Sequence, residues 1–190
     1  MGTINYTSGK GNVFKIGFRK KVVLVEDILK HQDKALFDDM CRTGCKNFGK
    51  KLSCPPLSPS FENYSRGYKK CIVYLMSIRM SQMNYMPKGA NGYFKVKVAN
   101  GIIKCLMDNL IIKNRKDGQR LISSGSCRMC TKCAGPGESC KKPYRRVFSY
   151  EALGINVSEL AKATFKYELQ WYKNKTVPKY TTILSGILLK

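Results

Sequence analysis

Four cysteines fall within residues 127–140 of the stretch GSCRMCTKCAGPGESC, and this limits the fold more than any other feature of the chain. Cys127, Cys130 and Cys133 follow a C-x2-C-x2-C spacing, with Cys140 later in the same loop. Two-residue gaps let a loop curl round a compact inorganic core, with thiolates on one side and backbone N–H groups towards sulfur. The bacterial ferredoxin run begins this way, although its fourth spacing is three and a Pro follows at once. Gly125, Gly135, Pro136 and Gly137 suit the tight turns such wrapping needs. Arg128, Lys132, Lys141 and Lys142 offset the negative charge of a thiolate-ligated cluster. The rival reading is a structural zinc (Zn) site on the same four sulfurs. Zinc ribbons join two separate C-x2-C knuckles, whereas three of these cysteines share one loop. Iron–sulfur is therefore favoured, with zinc as the alternative.

A second constellation is CRTGCKNFGKKLSCPP, with Cys41, Cys45 and Cys54 ahead of Pro55 and Pro56. Three cysteines in a loop holding Gly and Lys can ligate a second cluster. One iron would then lack a protein thiolate and be open to substrate, water or a small sulfur ligand. The competing readings are that these three complete the first site or simply pack. Cys71 and Cys105 read as small core residues. His31 is the single histidine and lies in the polar run LKHQDK, so it reads as solvated and supports no Ser-His-Asp triad. No Walker loop or G-x-G-x-x-G is present.

A chain of 190 residues supports one domain with a real core, residues 1–190. It contains no run of eighteen apolar residues, so no membrane span is expected. Its start lacks an apolar h-region, and position 6 is Tyr, not the Ser or Thr of a myristoylation signal, which points to the cytoplasm. Nine cysteines, an odd number, argue against a disulfide framework there. Lys and Arg number 35 against 12 Asp and Glu, for a net charge of +23. Such a field attracts an acidic redox partner protein or a nucleic acid such as RNA. The plainer account is a lysine-rich solvated surface.

KVVLVEDILKHQDKALFDDMC reads as a short strand followed by helical turns. Ser58 and Ser60 can cap a helix in FENYSRGYKK, and CIVYLMSI (71–78) reads as a buried strand. Residues 79–92 read as a loop. Phe94, Val98, Ile102, Leu106 and Leu110 predict a helix with those residues on one face, and QRLISSG predicts a strand leading to Cys127. Strand, helix, strand implies a partly parallel sheet. Asn156 can cap a further helix, with Glu159 three positions on. TFKYELQWY alternates with period two and predicts a strand that hairpins with YTTILSGILL. The expected class is α/β or α+β, with a small mixed sheet flanked by helices and two cysteine loops, 41–56 and 125–146.

CRTGCKNFGKKLSCPP resembles a C-x3-5-C-x2-Tyr/Phe-Gly-x3-Cys-Pro-Pro segment known from one family. SGSCRMCTKCAGPGESCKKPYRRVFSYEALGINV is similar to that family's second signature. The family is the predicted metal-binding proteins of domain-of-unknown-function family twenty-two eighty-four, and the resemblance runs from about residue 35 to 165. It implies metal, and most readily iron–sulfur, ligation by Cys41, Cys45, Cys54, Cys127, Cys130, Cys133 and Cys140. It also implies that Arg146, Glu151, Gly154 and Ile155 pack or hydrogen-bond beside the site. Phe148-Ser149-Tyr150 departs from the Pro-Ser-Met usual in relatives, as does the basicity of the chain.

Three functions are therefore weighed. The first is an iron–sulfur protein, with one or two clusters of the 4Fe-4S type, in ferredoxin-like electron transfer or cluster-based redox chemistry. The second is an RNA-associated protein with a structural zinc or iron–sulfur site, in which KKPYRRVFSY and FKYELQWYKNK serve stacking and phosphate contact. The third is an enzyme that uses an open cluster iron for sulfur or non-redox chemistry.

Overall fold

Runs of β-branched and aromatic residues pair into one mixed sheet in this computed structural model, which describes residues 2–87 and 90–190. The strands are β1 (Gly2–Thr7), β2 (Val13–Leu24), β3 (Lys70–Arg79), β4 (Arg120–Ser123), β5 (Phe148–Ser149) and β6 (Tyr180–Leu189). Their spatial order is β1-β2-β3-β6-β4-β5. All neighbours are antiparallel except β4 and β5, which run parallel. The mixed α/β class expected from the sequence is thus present.

The central strand β3 alternates strictly. Cys71, Val73 and Leu75 enter one core with helices α1 (Val25–Leu29), α3 (Phe61–Ser65) and α5 (Val157–Phe165). Tyr74, Met76 and Ile78 enter another beneath α4 (Gly92–Asn114). A buried strand with helices over both faces needs apolar residues at every position, which CIVYLMSI supplies.

Asn91 starts α4 by accepting the Phe94 amide (2.7 Å), and Asn156 starts α5 by accepting those of Ser158 (3.0 Å) and Glu159 (3.2 Å). Ser60 caps α3 through the Asn63 amide at 3.2 Å, but Ser58 does not share that role. Its hydroxyl instead donates to the Ala152 carbonyl at 2.7 Å. The seated face of α4 is Val96, Ala99, Ile103, Met107 and Ile111. The expected row lies one position off it: Val98, Ile102, Leu106 and Leu110 flank the core, and Phe94 is 49% exposed. At about 100° per residue the expected row spreads over roughly 160° of the helix surface, and the seated row over roughly 120°.

The partly parallel sheet expected from strand, helix and strand is present in the β4–β5 pair, and β3 and β4 also run in the same direction, each antiparallel to β6, which lies between them. Two further expectations are corrected. TFKYELQWY forms no strand and no hairpin with β6, because both edges of β6 are already paired with β3 and β4. Its Phe165, Tyr167 and Leu169 still turn inward, and the Tyr167 hydroxyl meets Thr182 Oγ1 at 3.0 Å. Met80–Tyr85 is a 3-10 turn inside the segment read as loop, of which positions 88 and 89 lie outside the described residues. The β1–β2 hairpin, with its Ser8–Asn12 turn (Ser8 N–H to Asn12 O, 2.9 Å), has no counterpart in the sequence reading. Among the described residues no helix is long and apolar enough to cross a membrane.

Gly186 lets Tyr150 reach the sheet. A Cβ there would meet Cys71 Sγ at 2.9 Å and Ile72 O at 3.2 Å, with the Tyr150 hydroxyl closer still. Tyr150 and Cys71 share a contact of 3.5 Å. Burial pushes the Cys71 thiol from its ordinary 9.0 up to about 12, and pushes Tyr150 well above its ordinary 10.0. Both groups fold in their neutral forms. The stability that this supplies is complete below about pH 9 and is lost as pH rises towards 12. Urea titrations between pH 8 and 12 should show stability falling by about 1.4 kcal/mol per pH unit for each titrating group. In Cys71→Ala the slope between pH 9 and 12 should drop by about one proton, and an unchanged slope would remove Cys71 from the account.

Candidate metal centre

The first cysteine loop grows out of helix α2 (Lys34–Gly44). Asp33 caps its start by accepting the Leu36 amide at 3.0 Å, and the Asp33 amide donates to Gly154 O at 2.7 Å. Gly154 has φ +86°, and a Cβ there would lie 2.6 Å from Lys34 Cα, so this approach needs glycine. Cys41 sits in the last turn, and the Cys45 amide closes that turn on Cys41 O at 3.0 Å. The chain then folds back through Phe48 N–H to Cys45 O (3.1 Å) and Gly49 N–H to Pro55 O (2.8 Å). These turns bury Cys54 while Cys45 stays exposed. The Ser58 bond to Ala152 pins the end of the loop to the 151–153 turn.

The second loop leaves β4 and is held by the first. Ser53 Oγ accepts the Cys127 amide at 3.1 Å, and Lys51 Nζ donates to Ser126 Oγ (3.3 Å) and Cys127 O (3.4 Å). Gly125, Gly135 and Gly137 all adopt positive φ, which supplies the expected turns. Lys142 Nζ reaches back to Met129 O at 3.1 Å.

The seven cysteines of the two loops line two cavities. Cys41, Cys45 and Cys54 border one of about 230 Å³, closed by Glu151 and by Gly125 and Ser126 of the second loop. Cys127, Cys130, Cys133 and Cys140 border another of about 60 Å³, walled by Lys51–Ser53 of the first loop and by Arg146. Each loop therefore contributes residues to the cavity of the other. Among the described residues, no group of three or more His, Cys, Asp or Glu converges so as to hold a metal ion. The sulfurs stand round cavities and do not meet at a point.

Electrostatics distinguish the thiols. The Leu52 amide, donating to the Cys133 sulfur, is the largest influence that lowers its pKa, and the Gly135 and Ala134 amides and the Lys51 charge add to it against burial. Burial pushes Cys41 up, and the neighbouring Cys45 and Cys54 push the same way. Cys54 is raised chiefly by burial, opposed by the Ser53 hydroxyl and Lys51, and it feels Cys45 and also Cys133 of the other loop. Burial also raises Glu151, against hydrogen bonds from its own amide and from Ser149.

Of the flanking residues, Arg146 and Glu151 border the four- and three-cysteine cavities respectively. Gly154 seats α2, and Ile155 is fully buried in the core. Cys71 is a core residue as expected, but Cys105 is exposed on the outer face of α4, and His31 is half-buried. Lys51 and Ser53, which join the two loops, stand out in the sequence only through their place between Cys45 and Cys54.

The family model described as "Predicted metal-binding protein (DUF2284)" matches residues 23–189. No curated protein and no solved structure matches the chain.

β4 is fixed just ahead of the second loop by a polar network that sequence reading did not detect. Lys104 of α4 is 8% exposed and donates to Ser123 Oγ at 2.8 Å, with Asp108 Oδ2 at 2.9 Å. Ser123 Oγ in turn donates to Asp108 Oδ1 at 2.7 Å. Removing one partner leaves the other charge uncompensated in a site with little water. Lys104→Met should lower unfolding free energy by roughly 3 kcal/mol in urea. Lys104→Met/Asp108→Leu should recover most of that loss, and equal losses in both variants would show that the pair is not coupled.

Proposed function

Because this chain belongs to the DUF2284 family of predicted metal-binding proteins, we propose that its seven loop cysteines hold two iron–sulfur centres of the 4Fe-4S type and that the protein passes electrons through them. The observation that carries this is the division of the thiols, four and three, between two cavities, each lined by residues of both loops. Sulfurs ranged round a cavity suit a polynuclear core, each iron of which takes one thiolate. A zinc ion instead needs its sulfurs at about 2.3 Å from one point. When bound, such clusters supply one-electron oxidation and reduction.

The residues of this chain have distinct parts in that reading. Cys127, Cys130, Cys133 and Cys140 give one thiolate per iron. The amides of Leu52, Ala134 and Gly135 stabilise the charge on Cys133, which favours the ionised form that ligation requires. Lys51 adds positive charge to both centres. Cys41, Cys45 and Cys54 give three thiolates beside the larger cavity, so one coordination position is left for Glu151, water or a substrate atom. The +23 charge favours an acidic redox partner.

Purification without oxygen, followed by iron, sulfide and zinc analysis, tests the proposal. About eight iron and eight sulfide per chain are expected from two such clusters. Cys45→Ala should remove roughly half of the iron and leave the absorbance and EPR signal of the 127–140 centre, while Cys130→Ala should do the reverse. Stoichiometric zinc without sulfide would overturn the proposal, and loss of all iron in either variant would reduce two sites to one.

A further inference from the structure

A concavity of about 520 Å³ opens where α3, the turn before β4 and the segment 143–148 meet. Arg115, Arg120, Arg145 and Arg146 line it, and no Asp or Glu does. Among the described residues none of the four is ion-paired, since every salt bridge lies elsewhere. Clustered guanidinium groups without a counter-charge repel one another, and an anion bound between them relieves that repulsion. Aromatic rings hold two of them in place. The Arg120 guanidinium lies over Tyr64 (5.3 Å) and Tyr68 (5.4 Å), and that of Arg146 over Phe148 (5.1 Å). Such stacking orients the planar fork before any ligand arrives. Arg146 Nε is buried and has no hydrogen-bond partner. A buried donor of this kind costs free energy until something accepts from it.

We infer that this pocket binds a small, multiply charged oxyanion, bearing phosphate or carboxylate groups, between the four arginines. Guanidinium forks bind both groups through paired N–H donors. The volume of about 520 Å³ lies in the range of small-molecule sites, which favours a small ligand over a nucleic-acid strand. Arg146 also borders the four-cysteine cavity, so the anion would sit one side chain away from it. The inference does not depend on what the cysteines hold.

Titration calorimetry of the intact chain tests it, with inorganic pyrophosphate and citrate as probes and metal content measured on the same sample. Saturable 1:1 binding of either probe is expected. Pyrophosphate alone would assign the phosphate class, citrate alone the carboxylate class, and both would assign oxyanions generally. Arg120→Gln should weaken binding at least tenfold. Arg115 and Arg145 are both exposed, so Arg115→Gln/Arg145→Gln keeps the fold and should weaken binding by a similar factor. Lys95→Gln/Lys179→Gln, in a separate basic hollow, should leave it unchanged. The inference falls if neither probe binds, if the arginine variants bind as the parent does, or if single-stranded oligouridylate binds while neither probe does. An iron-free sample that binds pyrophosphate would uphold the pocket while the cluster proposal failed.

Discussion

Between Cys45 and Cys54, and between Cys127 and Cys140, the chain forms no helix or strand, and each loop is shaped by the other. The Lys51–Ser53 segment is the joint. The Leu52 amide is aimed at the Cys133 sulfur, the Ser53 hydroxyl accepts from the Cys127 amide, and Lys51 reaches Ser126 and Cys127. Irregular backbone has to satisfy its polar groups wherever it can find partners. Here a partner loop more than seventy residues away in sequence provides them. The same amides and lysine that fix the conformation also set the electrostatics of the thiols. Shape and thiol chemistry therefore rest on one set of contacts.

The scaffold explains how distant segments reach that joint. Helix α2 is held at its start by Gly154, and β4 is held at its end by the Lys104–Asp108–Ser123 network. These two anchors deliver Cys41 and Cys127 from different layers of the fold. Lys104 and Ser123 of the second anchor are buried and Asp108 is partly so, which makes that anchor directional in a way that apolar packing is not.

The cysteines and the helix caps were legible because their signals are local. Spacing alone separated the two constellations, and Asn156 and Ser60 mark their helices through a side-chain bond reaching two or three residues on. Sheet order was not local. Period two in TFKYELQWY does describe the burial of Phe165, Tyr167 and Leu169, but it carries no information on whether a strand edge is free to receive them. The row on α4 was placed one residue off because two adjacent apolar rows with the same four-residue stride run along that helix, and only packing against the sheet decides which is seated. Cys105 was read as core on composition, although its position on α4 faces solvent. The arginine pocket draws on residues 115, 120, 145 and 146, whose convergence depends on β4 and β5 lying side by side.

The placement of β6 has a consequence for biosynthesis. This strand, residues 180–189, separates β3 from β4 and, among the described residues, is the only antiparallel neighbour that β4 has. While a ribosome is still making that segment, β4 can pair only with the two residues of β5. The second cysteine loop is then tethered to an unfinished sheet, although every residue that lines its cavity has already been made. The platform beneath the loop closes only when residues 180–189 emerge and pair with both β3 and β4.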